Sequence, residues 1–247
     1  MTSNQGRVAI VTGAATGIGE ATASALTDAG YGVFVVDIDD ERGRIVAEQN
    51  PASTFIHSDL TSESSVGDAM TVISGEVDHV DVVVNNAGGF GEAKGIEDTN
   101  LDEWAEIIAT NLTSVFLMTR AALPLLRRSE AGRIINLGSL AGQTAGWQTS
   151  PPYVAAKGGV HALTRALAVE LAPVGITVNT VSPSAVLTDR IRRLRDDADL
   201  ETTAASIPLG RYQKPEEVAS WIVFLASPEA GFMTGQTVSV NGGRFMA

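Results

Sequence analysis

The stretch VAIVTGAATGIGE at residues 8–20 carries the strongest fold signal in the sequence. A short apolar run predicts a buried strand, and a glycine-rich turn leads from it directly into a helical pattern. Gly13 and Gly17 allow a tight turn and close approach to a pyrophosphate, and Gly19 allows close packing of helix on strand. The spacing is neither G-x-G-x-x-G nor a P-loop. Between strand and helix it favours a dinucleotide-binding turn, with a merely structural turn as the alternative.

The same alternation of strand and helix continues along the chain. Apolar runs predict seven strands, at Val8–Val11, Gly32–Val36, Thr54–His57, Val80–Val84, Arg133–Leu137, Thr177–Val181 and Thr237–Val240. Helical patterns lie near Gly17–Gly30, Asp40–Gln49, Glu63–Gly75, Leu101–Arg128, Pro152–Leu171 and Pro215–Ala226. Because nearly every strand is apolar on both faces, the sheet should be parallel and covered on both sides. With no linker or repeat to divide it, the chain is predicted to be one α/β domain over residues 1–247, a doubly wound (Rossmann-type) fold with a seven-stranded parallel sheet.

Composition excludes several classes of protein. The 247 residues carry a formal net charge of −12, which disfavours nucleic acid and anionic lipid as main partners. Cys is absent, so a disulfide framework, a thiolate metal site and a cysteine nucleophile are excluded. Thr12 and Gly13 cut the first apolar run short of a signal peptide, and no apolar stretch approaches the ~18 residues that span a bilayer. We expect a cytoplasmic protein with no membrane partner.

Asp37 ends the second predicted strand, about 18 residues after Gly19. A carboxylate there can accept hydrogen bonds from both adenosine ribose hydroxyls and would repel a 2′-phosphate. Neither Arg nor Lys accompanies it within Val35–Asp40. The sequence therefore favours NAD over NADP, although Asp37 could also cap the following helix.

Three further motifs lie at or after predicted strand ends downstream of the glycine turn. Asn85-Asn86-Ala87-Gly88 follows the fourth strand, Ser139 ends the fifth, and Tyr153-Val154-Ala155-Ala156-Lys157 opens the next helix. Together with the glycine turn, they resemble the short-chain dehydrogenase/reductase family in its single-domain form, from Arg7 to about Gly243. The resemblance implies reversible hydride transfer between a nicotinamide cofactor and a small alcohol or ketone.

The residue chemistry agrees with that resemblance. Tyr153 and Lys157 are four apart on one helical face, so an ammonium can lie near the phenol and favour its ionised form. A tyrosinate can accept the alcohol proton, and in reduction Tyr153 is the acid. Ser139 lacks the G-x-S-x-G frame of a hydrolase nucleophile. The resemblance implies that Ser139 bonds the substrate oxygen and that Lys157 also holds the nicotinamide ribose; a Ser turn beside a Tyr/Lys helix face is the alternative.

Further site residues follow from the resemblance. It implies that Asn111, unfavourable inside a helix, opens the helix so that its backbone carbonyl holds a water on Lys157; a surface Asn is the alternative. It also implies that Val186 and Thr188 bind the carboxamide, although Ser184 replaces a family glycine. The implied cofactor site comprises Gly13, Thr16, Gly17, Ile18, Gly19, Asp37, Asp59, Leu60, Asn86, Ala87, Gly88, Tyr153, Lys157, Val186 and Thr188.

The segment between Pro183 and Pro208 is too long for a simple connection, and residues 188–207 are predicted to form a substrate lid, with a solvated charged helix as the alternative. Arg190, Arg192, Arg193 and Arg195 precede Asp196, Asp197 and Asp199 in it. If the segment is one helix, Arg192 and Arg195 can pair with Asp196 and Asp199. The alternative is that one arginine faces the cleft and selects an anionic substrate.

The favoured function is an NAD-dependent oxidoreductase of secondary alcohols and ketones. A 3-oxoacyl-[acyl-carrier-protein] reductase is the first alternative. Members that serve the acidic carrier protein resemble one another in having basic residues at two positions where this chain has Glu130 and Val174, which counts against this alternative. A non-catalytic regulatory protein is the second alternative.

His57, His79 and His161 are too scattered to predict a metal site. We also expect Gln143, Trp147, Gln148 and 89–92 to line the substrate pocket.

A homo-oligomer, most often a tetramer in the resembling family, is expected to pair through the two long helices. Their apolar residues exceed what one sheet face needs, and the alternative is that all of them belong to the core. They are Ile107, Ile108, Val115, Phe116, Ala162, Leu163, Ala166 and Leu167.

Overall fold

A single parallel sheet forms the centre of the molecule. The computed structural model describes residues 6–144 and 149–246. Its strands are β1 (Val8–Thr12), β2 (Gly32–Asp37), β3 (Ser53–His57), β4 (Val82–Asn85), β5 (Arg133–Leu137), β6 (Thr177–Pro183) and β7 (Thr237–Val240). They pair in the order β3-β2-β1-β4-β5-β6-β7, with every ladder parallel. The predicted doubly wound, seven-stranded fold is confirmed.

Helices cover both faces of this sheet. They are α1 (Gly17–Asp28), α2 (Asp40–Gln49), α3 (Glu63–Glu76), α4 (Leu101–Ile108), α5 (Ser114–Leu126), α6 (Pro151–Leu171), α7 (Asp189–Leu194), α8 (Asp197–Ala205) and α9 (Pro215–Ala226). One buried cluster packs alternate strand residues such as Ile10 against α3, α5 and α6. The other packs Val11 and its equivalents against α1, α2 and α9. Because the strands are buried on both faces, they read as continuous apolar runs.

The connection order places a crevice at the carboxyl ends of the strands. From β1 the chain builds outward to β2 and β3, and then returns to add β4 on the other side of β1. Loops after β1 and β4 therefore diverge at this switch point, which is where doubly wound sheets bind ligands. The glycine turn at 13–17 and the Asn85–Gly88 motif both lie there.

Several predicted element boundaries differ from the observed ones by one or two residues, and one predicted helix is interrupted. The fourth strand begins at Val82, not Val80, because the Val80 amide donates to the Leu125 carbonyl (3.3 Å) instead of to the sheet. The predicted Leu101–Arg128 helix is interrupted, since Ala109–Thr113 forms a π-helical turn between α4 and α5. Asn111 lies in that turn, so the expectation that it opens the helix agrees with the local backbone.

One helical stretch, Leu101–Leu126, is long and apolar enough to cross a bilayer by length and composition, and it is the one such helix among residues 6–144 and 149–246. It has 26 residues and contains a window with a mean hydropathy of 1.2. Glu106 and Arg120 interrupt its apolar residues, so the prediction that no continuous apolar stretch approaches ~18 residues is not contradicted. Leu117, Met118 and Leu126 of this stretch lie in the core, and core helices meet the same criteria, so the indication is weak.

Candidate active site

The glycine turn forms the floor of a cleft. Gly13 and Gly17 have φ of +61° and +60°, a left-handed conformation that favours glycine. A Cβ on Gly19 would lie 2.1 Å from the Gly13 carbonyl oxygen, so glycine is required for this close packing. Thr16 precedes α1 without capping it through its side chain. The first turn of α1 is therefore left without a side-chain cap, and its residues Gly17 and Ile18 line the cleft.

Asn86 holds this turn against the end of β4. Its side-chain amide donates to the carbonyl oxygens of Thr12 and Gly13, both at 2.9 Å. The Thr12 hydroxyl oxygen accepts in turn from the backbone amides of Asn86 (3.0 Å) and Ala87 (3.1 Å). Motifs more than 70 residues apart in sequence are thus joined into one rigid surface.

Acidic residues mark the far end of the cleft. The two Asp37 carboxylate oxygens accept from the amides of Ala15 (2.9 Å) and Asp39 (3.0 Å). Asp39, not Asp37, caps α2, because its side chain accepts from the Arg42 amide. Hydrogen bonds from the side chain and backbone of Thr61 lower the pKa of Asp59. Asp37 and Asp59 both line the cleft.

Ser139, Tyr153 and Lys157 meet at the other end of the cleft. Ser139 follows β5, and Tyr153 and Lys157 lie in the first two turns of α6. A side-chain hydrogen bond joins Ser139 to Tyr153. The Lys157 ammonium lies 5.9 Å from the Tyr153 ring centroid and donates to the Leu137 carbonyl oxygen at 2.8 Å.

Burial dominates the titration of this group. It raises the pKa of Tyr153, and the Ser139 hydrogen bond and the positive charge of Arg190 offset only part of that increase. Burial also lowers the pKa of Lys157 to about 8. The net direction for Tyr153 is opposite to the lowering that we expected from Lys157, because loss of solvation outweighs the nearby charges.

Asn111 is fully buried beneath the cleft. Its side-chain oxygen accepts from the Gly89 amide (3.0 Å), and its side-chain nitrogen donates to the carbonyl oxygens of Gly89 (2.9 Å) and Ile107 (3.0 Å). Gly88 adopts φ +148°, and a Cβ there would lie 2.5 Å from the Asn111 side-chain oxygen. A surface role for Asn111, the alternative left open by the sequence, is therefore excluded.

His161 was considered in the sequence only as a metal ligand, and the structure gives it another position. It is buried one turn after Lys157 on α6. Its Nε2 lies 3.2 Å from the Ser139 carbonyl oxygen, and its Nδ1 lies 3.1 Å from the Thr237 hydroxyl. Burial lowers its pKa. Its i+4 spacing from Lys157 was the signal that could have placed it beside the site.

Val186 and Thr188 enclose the cleft opposite the glycine turn. The Thr188 methyl would lie 3.0 Å from a Cβ on Gly17, so the two segments are nearly in contact. Ser184 fits where the family pattern has glycine, because no non-glycine residue in the described ranges has a positive φ. Its hydroxyl donates to the Asn241 carbonyl oxygen at 3.2 Å.

A single cleft of about 2090 Å³ brings nearly all of the predicted site residues together. Gly19 and Asn111 alone among them do not line it, since both are buried below its surface. Of residues 89–92, Gly89 and Phe90 line it as expected, and Gly91 and Glu92 do not. Gln143 does not, because its side chain bonds instead to the hydroxyls of Ser182 (2.8 Å) and Ser239 (3.0 Å). Trp147 and Gln148 lie outside the described residues.

The basic segment is two helices, α7 and α8, and not one. Arg195 is extended between them (φ −127°, ψ 140°), and Asp196 caps α8 by accepting from the Asp199 amide at 2.8 Å. Neither predicted Arg–Asp pair forms within the part of the chain that the structure describes. Arg190, Arg192, Arg193 and Arg195 all line the cleft.

Known proteins resemble this chain along its whole length. Residues 13–244 match the family model described as enoyl-(acyl carrier protein) reductase. The chain is 39% identical to 3-oxoacyl-[acyl-carrier-protein] reductase FabG of Vibrio harveyi, covering 98% of each, and 40% identical to acetoacetyl-CoA reductase of Rhizobium meliloti (strain 1021), covering 98% and 99%. The solved Pseudomonas aeruginosa RhlG/NADP active-site complex superposes with a TM-score of 0.92 at 35% identity, over 98% of this chain and 97% of that one.

Proposed function

Because the chain belongs to the short-chain dehydrogenase/reductase family, whose members here are oxidoreductases of CH–OH and ketone groups, we propose that it interconverts a secondary alcohol and a ketone with NAD. The observation that carries this proposal is the convergence of Ser139, Tyr153 and Lys157 on the cleft floored by the glycine turn. A proton donor and an uncapped helix N-terminus then share one cavity.

The residues of the cleft fit a dinucleotide. The first-turn N–H groups of α1, from Gly17 to Gly19, suit a pyrophosphate, and their lack of a side-chain cap leaves them available. Asp37, with Asp59 and Leu60, suits the adenosine end, and Val186 and Thr188 suit the carboxamide end. When bound, the nicotinamide supplies or accepts the hydride.

The chain's own residues move the proton. Ser139 would donate a hydrogen bond to the substrate oxygen, and Tyr153 would give its proton to that oxygen during reduction. The raised pKa of Tyr153 keeps the phenol protonated at neutral pH, which favours its use as an acid. Lys157 would hold the ribose. Any relay through Asn111 falls to its backbone carbonyl, because its side chain is already bonded to Gly89 and Ile107.

NAD is proposed as the better cofactor on the basis of Asp37. Its carboxylate is fixed by two backbone amides and lies in the cleft, where it would accept from ribose hydroxyls and repel a 2′-phosphate. The RhlG structure is a complex with NADP, so the choice of cofactor has to be measured for this chain.

Reduction of a 3-oxoacyl thioester is the second candidate, because FabG and acetoacetyl-CoA reductase are among the relatives. Glu130 and Val174 are both exposed. Val174 has no positive charge with which to attract an acidic carrier protein, and the Glu130 carboxylate would repel such a carrier protein. A coenzyme A thioester is therefore the more suitable form of such a substrate.

We also propose a closing lid and an oligomer. The base of the lid, residues 188–207, is fixed where Ala185 and Leu187 bond to Gln213 (3.0 and 2.8 Å), while α7 and α8 have no buried residues. This arrangement allows closure over substrate.

For the proposed tetramer, Val115 is buried in the core and is not an interface residue. Phe116 on α5 is 46% exposed and remains available for contact with another subunit. A cytoplasmic location stays a prediction.

The test is a screen of secondary alcohols, ketones and 3-oxoacyl thioesters, followed by absorbance of the reduced nicotinamide with NAD(H) and NADP(H) in parallel. Turnover with NADH exceeding that with NADPH in kcat/KM supports the proposal. Turnover confined to acyl-carrier-protein substrates with NADPH would replace it with the second candidate.

A further inference from the structure

Arg190 lies on the substrate side of the cleft, one aromatic ring away from Tyr153. Its Nη2 donates to the Phe90 carbonyl oxygen at 2.9 Å, and its Cζ lies 5.7 Å from the Phe90 ring centroid. The Phe90 ring packs edge-on against Tyr153, with 6.0 Å between centroids and an interplanar angle of 74°. The guanidinium is therefore held close to the residue that would give the proton.

The surface that holds Arg190 is rigid. Gly89 and Phe90, which we call the ledge, follow the end of β4, and Asn111 bonds both the amide and the carbonyl of Gly89. A Cβ on Gly89 would lie 2.4 Å from Nη1 of Arg190, so the absence of a side chain makes room for the guanidinium. Arg190 itself is exposed, so this support orients a guanidinium that solvent and an incoming ligand can both reach.

No carboxylate neutralises Arg190 within the described ranges. It forms no ion pair with any acidic residue there, and one of its five N–H donors is used in the bond to Phe90. Arg192, Arg193 and Arg195 add charge of the same sign to a cleft in a chain of net charge −12. The remaining donors are thus available to an anion that enters the cleft.

We propose that Arg190 binds a carboxylate of the substrate, so that oxo acids and hydroxy acids are selected over neutral ketones and alcohols. This inference rests on the proposed function. A guanidinium fork matches a carboxylate with two parallel hydrogen bonds. The nearby Phe90 ring and the hydrogen bond to the Phe90 carbonyl oxygen hold the fork in place, so little side-chain entropy is lost on binding.

The test compares each acid with its uncharged amide of the same size, as 3-oxo, 4-oxo and 5-oxo acids and amides. In R190Q, kcat/KM for the preferred acid should fall about 10- to 100-fold more than for its amide, the range of a charge-assisted hydrogen bond. R165Q removes the same charge from the exposed side of α6, and Arg165 does not line the cleft. Its acid-to-amide ratio should change about twofold or less, because a solvent-exposed charge away from the substrate is screened.

Two further measurements separate the alternatives. G89A retains every charge but displaces the guanidinium, so it should also reduce the acid-to-amide ratio. The Kd of NADH for R190Q should stay within about twofold of the wild type; a large increase with an unchanged ratio would assign Arg190 to cofactor phosphate and overturn the inference. Equal losses for acid and amide in R190Q, or an equal ratio change in R165Q, would also overturn it. If wild-type protein turned over no ketone of either kind, the proposed function would fail as well.

Discussion

Replacing Lys157 with Met should stabilise the fold while it ends turnover. Lys157 is 4% exposed, and its ammonium donates to the Leu137 carbonyl oxygen. No acidic side chain forms an ion pair with it within residues 6–144 and 149–246. A buried charge without a counter-ion costs free energy, and Met fills a similar volume without that charge.

The size of the effect follows from the pKa of Lys157. Burial lowers it from 10.5 to about 8, and at ~1.36 kcal/mol per unit this is about 3 kcal/mol of unfavourable free energy at pH 7. Loss of the hydrogen bond to Leu137 offsets about 1 kcal/mol. The K157M variant should therefore gain about 2 kcal/mol in free energy of unfolding at pH 7.

The gain should depend on pH in a defined direction. Because the pKa is lower in the folded than in the unfolded chain, the cost is fully present below about 8. It disappears as pH rises from about 8 to 10.5, where the folded protein already binds fewer protons than the unfolded chain. The difference between variant and wild type should therefore narrow at alkaline pH.

Urea unfolding at about pH 7 and about pH 10, at one fixed protein concentration, measures both effects. The matched control is R165M, which removes a positive charge from the exposed side of the same helix. It should change stability by less than about 0.5 kcal/mol. A K157M protein less stable than wild type at pH 7, or a difference that is the same at both pH values, would refute the reasoning.

Three further results are expected. D37A should weaken NAD binding and narrow the kcat/KM gap between NAD and NADP; an unchanged gap would remove Asp37 from cofactor selection. G19A should lower the free energy of unfolding by about 1–3 kcal/mol in urea titrations, because its Cβ would lie 2.1 Å from a backbone oxygen; unchanged stability would contradict that packing. Light scattering should show an oligomer at micromolar concentration that F116E weakens, since Phe116 is a large exposed apolar side chain; a stable wild-type monomer would exclude it.

The sheet could be predicted from the sequence because buried parallel strands leave a simple pattern. Runs such as Val8–Val11 are apolar on both faces, and helix-length segments separate them. The motifs that follow β1, β4 and β5 then predicted where the site lies, because the carboxyl ends of these three strands meet at one edge of a parallel sheet. Propensity marked Asn111 as unfavourable inside a helix, and the family resemblance implied that the helix opens there, although neither indicated the π-helical form.

Competition between local hydrogen bonds explains what the sequence did not predict. Asp196 could pair with Arg192 or cap a new helix, and the cap prevails, so the lid divides into two helices. Gln143 was expected in the cleft, but the short 3₁₀ turn at Leu140–Gly142 directs the chain toward Ser182 and Ser239. Spacing along the chain does not determine which of two competing partners a side chain takes.

The most direct test of the central claim is the Y153F variant, assayed for ketone reduction and, by nucleotide fluorescence, for NADH binding. The substitution removes the hydroxyl that would donate the proton and leaves the glycine turn and Asp37 unchanged. We predict that kcat falls by about 10²- to 10⁴-fold while the Kd of NADH is retained. Retention of more than about a tenth of the wild-type kcat would contradict the assignment of Tyr153 as the acid.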